Sequence, residues 1–160
     1  MKIVLQRVKK ASVAVEGRIA GEIGKGICLL VGIEKGDTLQ DVEFLARKTV
    51  ELRIFPDQEG KMNLSLAEAQ GAVLAVSQFT LAASVRKGRR PGFDNAESPG
   101  RAAELFDRFV VLVRESGVRV ATGVFQALME VEIINDGPVT FILDSKKDGR
   151  GGTSEDGAAS

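Results

Sequence analysis

The sequence predicts an α+β fold in a single domain: a curved, mostly antiparallel sheet curling toward a barrel, with two main helices outside. Three observations carry this expectation. A chain of 160 residues, 44% hydrophobic and 28% charged, has apolar side chains for one well-buried core and is short for two. Its opening is a run of apolar or alternating segments joined by very short turns, and such turns join strands antiparallel, since a parallel crossover needs many more residues. Two later segments repeat apolar residues at helical spacing.

Taken in order, Ile3 to Val8 reads as a first strand. Ala11 to Val15 alternates, with Val13 and Val15 on one face and Ser12 and Ala14 on the other. Glu16-Gly17 is a turn signal, Arg18 to Ile23 a second arm, Gly24-Lys25-Gly26 another turn, and Ile27 to Ile33 a buried strand; together they read as an antiparallel meander. Thr38 is a helix N-cap with Asp41 as its capping-box partner. Val42, Leu45, Ala46 and Thr49 follow on one face, giving a helix from about Leu39 to Glu51. Arg53-Ile54-Phe55 is a short strand and Pro56 to Gly60 a loop, and Lys61 to Leu66 leads through a short turn into the central stretch, Ala72 to Leu81. Ser98-Pro99 is a helix start, a capping serine before proline at the first helical position. The stripe Ala102, Leu105, Phe106, Phe109, Val110 and Val113 follows, and Gly117 ends the helix. Val118 to Ala121 is a short strand, Leu128 to Ile134 an alternating one, Asn135-Asp136-Gly137-Pro138 a turn, and Val139 to Leu143 the last strand. The domain is expected over residues 1–144. Residues 145–160, polar and Gly-rich without periodicity, are expected to be a disordered C-terminal tail.

Composition excludes much chemistry. Lys plus Arg and Asp plus Glu number 22 each, so any nucleic-acid contact must come from a local patch. No apolar run is long enough for a membrane helix. The start, Met1 to Arg7, is too short and too soon charged for a signal peptide, and a cytoplasmic location without membrane contact follows as the default expectation. The chain has no histidine, which removes Ser-His-Asp and Cys-His arrangements and most zinc sites; no metal and no cofactor is expected. The single cysteine, Cys28, lies in an apolar run and reads as a small buried hydrophobe. Any catalysis must run on backbone groups, amides, hydroxyls, carboxylates or the substrate itself.

Three clusters could carry chemistry. Ser77-Gln78-Phe79-Thr80 brings two hydroxyls and an amide to the end of the apolar run Ala72 to Val76. A buried polar group without a partner costs about 1–3 kcal/mol, so these groups either bond neighbouring backbone or meet a ligand. Consecutive N–H groups beside a side-chain amide can form an oxyanion hole. Thr80 is the best nucleophile or water-positioning hydroxyl, but it has no obvious base. Asn135-Asp136-Gly137-Pro138 reads either as a plain hairpin turn or as a place for a cis peptide. Arg86, Lys87, Arg89 and Arg90 form a basic loop punctuated by Gly88 and Pro91, either a solvated surface or a phosphate contact.

These residues carry a resemblance. Leu5-Gln6-Arg7-Val8, Arg53-Ile54-Phe55 with Gly60-Lys61-Met62-Asn63, Val76-Ser77-Gln78-Phe79-Thr80-Leu81, Arg90-Pro91 and Asn135-Asp136-Gly137-Pro138-Val139-Thr140 stand in the order of the D-aminoacyl-tRNA deacylases (also called D-tyrosyl-tRNA deacylases), which the chain resembles over about Met1 to Asp144. The resemblance implies a homodimer with active sites at the subunit interface. It implies hydrolysis of the ester between a D-amino acid, or glycine, and the terminal adenosine of tRNA, as proofreading of chirality in translation. Ser77, Gln78, Phe79 and Thr80 would line the pocket. Gly137-Pro138 would be cis and reach into the partner's pocket to exclude L-amino acids, with Arg7 holding the motif. The family binds substrate mainly through backbone groups, and the adenosine 2′-hydroxyl assists.

The chemistry agrees: a histidine-free chain can hydrolyse an ester that is already reactive, and an aminoacyl ester with a neighbouring hydroxyl and an α-ammonium is one. Two rival readings are a non-catalytic RNA-binding or editing accessory module, and a small-molecule amidase or esterase for which the basic loop would be idle.

Overall fold

The structure, a computed structural model, describes residues 1–149. Its spine is β1 (Lys2–Val15), one strand where the sequence suggested two. Along one side of β1 runs β8 (Glu130–Asp144), paired from Lys2↔Asp144 to Ala14↔Glu130. The other side is shared: β2 (Arg18–Ile23) pairs with the distal part of β1, and β3 (Gly26–Gly32) with the proximal part, both antiparallel. The opening strands are thus antiparallel as expected, but β2 and β3 are not neighbours and do not form a meander.

The sheet continues from β3 to β6 (Ala72–Ser77) and then β7 (Val120–Thr122), and both junctions are parallel. Antiparallel junctions still outnumber parallel ones, and the sheet is mixed. The reason lies in the two helices, which are the crossovers. Helix α1 (Leu39–Glu51), followed by the hairpin of β4 (Phe55–Pro56) and β5 (Met62–Leu64), returns the chain from β3 to β6. Helix α2 (Pro99–Glu115) returns it from β6 to β7. The ends of the sheet then approach each other. The guanidinium of Arg119 donates to the Glu22 carbonyl at 2.7 Å, and a Cβ at Gly21 would fall on the Thr122 carbonyl, so glycine is what lets β2 come against β7. The result is a nearly closed barrel.

The apolar runs of β3 and β6 are explained by two cores. Ile27, Leu29, Val31, Val73 and Ala75 face the helices and meet Val42, Leu45, Leu105 and Phe109. Their alternates, Cys28, Leu74 and Val76, point into the barrel with Val8, Ala11, Val13 and Ile23. Each large side chain fully buried this way contributes about 1.5–3 kcal/mol. Burial pushes the Cys28 thiol up to about 11, so it stays a neutral hydrophobe.

The stripe expected on α2 is its buried face, residue for residue. Ser98 lies at its start but makes no side-chain cap; its N–H is bound by the Glu97 carboxylate at 2.7 Å. On α1, Asp41 accepts the Thr38 N–H at 2.8 Å as the capping box requires.

The tail expected from Ser145 does not begin there. Asp144 caps a short helical turn, α3 (Ser145–Asp148), by accepting the Lys146 N–H at 3.0 Å. Ser145 is buried because the Met1 ammonium donates to its Oγ at 3.0 Å, to Asp37 at 2.5 Å and to Glu34 at 3.4 Å. The rest of the expected tail, residues 150–160, lies outside the described residues. Among the described residues, no helix is long and apolar enough to cross a membrane.

Candidate active site

At the end of β6 the chain leaves the sheet. The Gln78 N–H still bonds the Val31 carbonyl at 2.7 Å, and Phe79–Ala82 then forms one 3₁₀ turn. The change from apolar to polar residues at Ser77 therefore comes at the last residue of β6, one before the backbone leaves the sheet. The first N–H groups of such a turn have no partner within it. Among the described residues, those of Phe79 and Thr80 have none elsewhere. Of the consecutive N–H groups in this stretch, these two are thus the unpartnered ones among the described residues, because Gln78's own N–H is taken by the sheet. The Gln78 amide Nε2 donates to Thr80 Oγ1, which holds both side chains at the same rim.

Beside this turn lies a cleft of about 460 Å³. Ser77, Gln78 and Phe79 line it; Thr80 is exposed and lies outside its lining. Val31, Val76, Ala102 and Phe106 form part of its apolar wall. The loop from Phe125 to Met129 overhangs it, turned by Gln126 with φ 61°, and Leu128 there is 93% exposed. Glu97 is the one charged lining side chain among the described residues. Nothing in the sequence singles out Glu97 or Phe125 to Ala127, and its alternation places Leu128 and Met129 in the strand that begins only at Glu130. Glu97, just before α2, is brought here by its N–H, which donates to the Ile33 carbonyl at 3.2 Å, and Phe125–Met129 by the return of the chain from β7 to β8. Phe106 was legible only as a core position, and it is both. Among the described residues, no three His, Cys, Asp or Glu side chains come together as metal ligands.

Gly137-Pro138 is not a hairpin turn. It is a loop-out inside the continuous strand β8, because β1 is long enough to pair on both sides of it. Gln6 pairs with Thr140 and Val8 with Asn135, so Asp136, Gly137, Pro138 and Val139 stand opposite Arg7 alone. The peptide is cis. Asn135 closes the loop-out, accepting the Val139 N–H at 2.8 Å. Arg7 braces it from beneath: its Nε donates to the Asp136 carbonyl at 3.0 Å and its Nη1 to the Ile54 carbonyl at 2.6 Å. Gly137 has φ 141°, and a Cβ there would meet the Val139 nitrogen at 2.9 Å, so only glycine fits. Gly137 and Pro138 are exposed, and neither lines the cleft of its own chain. The structure therefore brings Ser77, Gln78, Phe79 and Thr80 together, and Arg7 with Gly137-Pro138, as two separate groups within one chain.

The basic loop is pinched at its base, where Ser84 and Gly92 exchange two backbone hydrogen bonds of 2.8 Å. Arg86, Lys87, Arg89 and Arg90 are all exposed, and among the described residues none is in an ion pair.

The chain is similar to known proteins along nearly its whole described length. The D-aminoacyl-tRNA deacylase of Geobacter sulfurreducens is 58% identical over 91% of this chain and 96% of its own. That of Koribacter versatilis is 56% identical over 92% of this chain and 99% of its own. A solved structure described as c-Myc DNA unwinding element binding protein superposes with a TM-score of 0.86 at 42% identity, covering 91% of this chain and 99% of that one. The sequence profile of the family described as D-Tyr-tRNA(Tyr) deacylase matches residues 4–144, from the start of β1 to the end of β8, and by that match and these identities the chain belongs to the D-Tyr-tRNA(Tyr) deacylase family.

Proposed function

We propose that the chain hydrolyses D-aminoacyl-tRNA to free D-amino acid and tRNA and rejects L-aminoacyl-tRNA, and that glycine mischarged on a non-cognate tRNA is also released. The observation that carries this reading is an apolar cleft lined by Phe79, whose backbone N–H, like that of the adjoining Thr80, has no partner among the described residues, in a chain with no histidine. Such a site suits an ester that needs only positioning and charge stabilisation. Water adds to the ester carbonyl, and the oxyanion that forms accepts from the N–H groups of Phe79 and Thr80, with Gln78 beside them. A donor of this kind is worth about 2.7–4 kcal/mol of barrier. The substrate's 2′-hydroxyl and α-ammonium supply the remaining assistance. Arg86, Lys87, Arg89 and Arg90 contact the tRNA phosphates, which accounts for four cations without an ion pair among the described residues, on a chain of zero net charge.

The active unit is a cytoplasmic homodimer. Its support is that the cleft of one chain lacks the Gly137-Pro138 loop-out, while β8, which carries it, has an unpaired edge among the described residues and exposes Ile134, Phe141 and Ile142. In the dimer, the partner's Pro138 stands at the mouth of the cleft and its carbonyl neighbours take the α-ammonium. An L side chain then collides with the motif, a D side chain points away, and glycine has none to exclude, so selectivity comes from a built-in clash.

The test is incubation of the purified chain with D-tyrosyl-tRNA, L-tyrosyl-tRNA, glycyl-tRNA and free D-tyrosine ethyl ester. Hydrolysis of the D- and glycyl-tRNA alone is expected. Equal loss of the L-ester would remove the chiral reading. Binding of all the tRNAs without hydrolysis would favour a nucleic-acid-binding module, the reading suggested by the name of the DNA unwinding element binding protein. Cleavage of the free ester alone would indicate a small-molecule esterase.

A further inference from the structure

Phe79 and Phe93 are used by nothing in the chemistry above beyond the backbone of Phe79, yet both rings face water. Phe79 is 60% and Phe93 41% exposed, with ring centroids 5.2 Å apart and planes tilted by 54°. Their place in the chain is specific. Phe79 lines the cleft. Phe93 follows Gly92, which closes the basic loop against Ser84. The pair therefore joins the lining of the cleft, through Phe79, to the base of the loop that carries Arg86, Lys87, Arg89 and Arg90, through Phe93.

Phe93 is also held firmly on its far flank. The Lys35 N–H donates to the Asn95 carbonyl at 2.9 Å, and Asn95 Nδ2 donates to the buried carboxylate of Glu34 at 2.9 Å. The Ala96 N–H donates to the carbonyl of Phe93 itself at 3.0 Å. A backbone fixed on both flanks, carrying a ring that stays largely exposed against a second ring, is a preorganised stacking surface. Exposed aromatics beside unpaired cations are how proteins hold single-stranded nucleic acid: the cations take the backbone and the rings take the bases.

We infer that the Phe93 ring, backed by Phe79, stacks the base of the nucleotide that precedes the terminal adenosine of the tRNA. The inference rests on the proposed deacylase reading and extends it by one nucleotide. It gives the site a grip on the acceptor strand beyond the ester-bearing residue, so that the cleft handles the amino acid and its adenosine while Phe93 fixes the direction in which the strand leaves toward the basic loop. Stacking reads any base through its face, so this contact adds affinity for a single strand without sequence preference.

The experiment compares three D-tyrosyl esters as substrates: of adenosine, of the trinucleotide cytidylyl-cytidylyl-adenosine, and of the same trinucleotide with an abasic sugar before the adenosine. The abasic substrate keeps the phosphates and removes only the base. In the parent chain, kcat/KM is expected to fall about tenfold from the intact to the abasic trinucleotide, the order of one base–aromatic stack. In Phe93→Leu, which keeps apolar bulk, that difference should vanish, and in Phe93→Tyr it should return. The inference is overturned if the parent does not distinguish intact from abasic substrate, or if Phe93→Leu keeps the full difference. It is also overturned if Phe93→Leu lowers all three substrates alike, which would make Phe93 a prop for Phe79, or if the variant sediments as a monomer where the parent is a dimer. Failure of the parent to cleave any of the three would instead refute the deacylase reading itself.

Discussion

Replacing Arg7 by alanine separates the stability of the barrel from the filtering of substrate. The residue is only 8% exposed, and its side chain bridges two carbonyls, of Ile54 at 2.6 Å and Asp136 at 3.0 Å, with the Asp136 carboxylate 3.5 Å from Nε. Hydrogen bonds to a charged group are worth about 1.5–3 kcal/mol each. Losing two gives about 3–6 kcal/mol, and water entering beside the half-buried Asp136 brings the expectation to the lower end, about 3 kcal/mol. For a chain of this size that lowers Tm by about 6–12 °C. The second effect is on selectivity. Without the brace, the stretch from Asp136 to Val139 is held by Asn135 alone, and the clash against L-residues softens. L-tyrosyl-tRNA hydrolysis should rise at least about tenfold, equivalent to about 1.4 kcal/mol of lost discrimination. Arg7→Lys, a point charge able to reach one carbonyl, should lie between. The assays are thermal unfolding by circular dichroism and single-turnover deacylation of D- and L-tyrosyl-tRNA. A folded Arg7→Ala variant that loses less than about 1 kcal/mol, or that rejects the L-ester as strongly as the parent, would refute the reasoning.

Alanine at both Arg89 and Arg90 should weaken tRNA binding and flatten its salt dependence, by a slope of about 0.7–0.9 for each lost phosphate contact; a salt titration with unchanged affinity and slope would show a solvated loop. Gln78→Ala should slow single-turnover hydrolysis by about 10²–10³ if its amide meets the oxyanion, and Thr80→Ala less if the hydroxyl only orients Gln78; a covalent acyl-Thr80 species in mass spectrometry would contradict direct water attack. Acid should unfold the protein through its terminal cluster. Burial pushes the Glu34 carboxyl up, but the bond from Lys2 and the charges of the Met1 ammonium and Lys146 outweigh it and hold it below its ordinary 4.5. Burial likewise opposes, and hydrogen bonds from Thr38 and Ser145 overcome, the shift that holds Asp41 below 3.8. Both carboxylates bind fewer protons folded than unfolded, so their stabilisation is present at neutral pH and is lost as pH falls below about 4.5. Glu34→Gln should lower neutral-pH stability in urea unfolding and flatten the acid limb, whereas a parallel pH profile would place the acid sensitivity elsewhere.

What the sequence shows and what it hides follow from the range of the interactions involved. Helices α1 and α2 are legible because their caps and stripes are local, and Ala72 to Thr80 is legible because an apolar run that turns polar must end at a surface or a site. The single strand β1 is not, since Lys9 and Lys10 interrupt its alternation and only β8, far along the chain, holds it straight. The same pairing turns Asn135 to Pro138 from a hairpin into a loop-out. The parallel junctions of β6 depend on where α1 and α2 return the chain, which no window of residues reveals. At the cleft, Glu97 arrives through its hydrogen bond to the Ile33 carbonyl and Leu128 through the return of the chain from β7 to β8, both long-range, and Ser145 is held through Met1 at the other end of the described chain.

The central claim is that one chain supplies the cleft and another the filter, and mixed dimers test it directly. A Gln78→Ala chain has a disabled cleft and an intact Gly137-Pro138 loop-out; an Arg7→Ala chain has an intact cleft and a loosened one. In dimers purified by two different tags to hold one of each, the single working cleft faces the intact loop-out. Hydrolysis of L-tyrosyl-tRNA per working cleft should fall from the level of the Arg7→Ala dimer to that of the parent, while D-tyrosyl-tRNA is still cleaved. L-hydrolysis that persists in the mixed dimer would mean that each cleft is filtered by its own chain, or by neither, and would contradict the account.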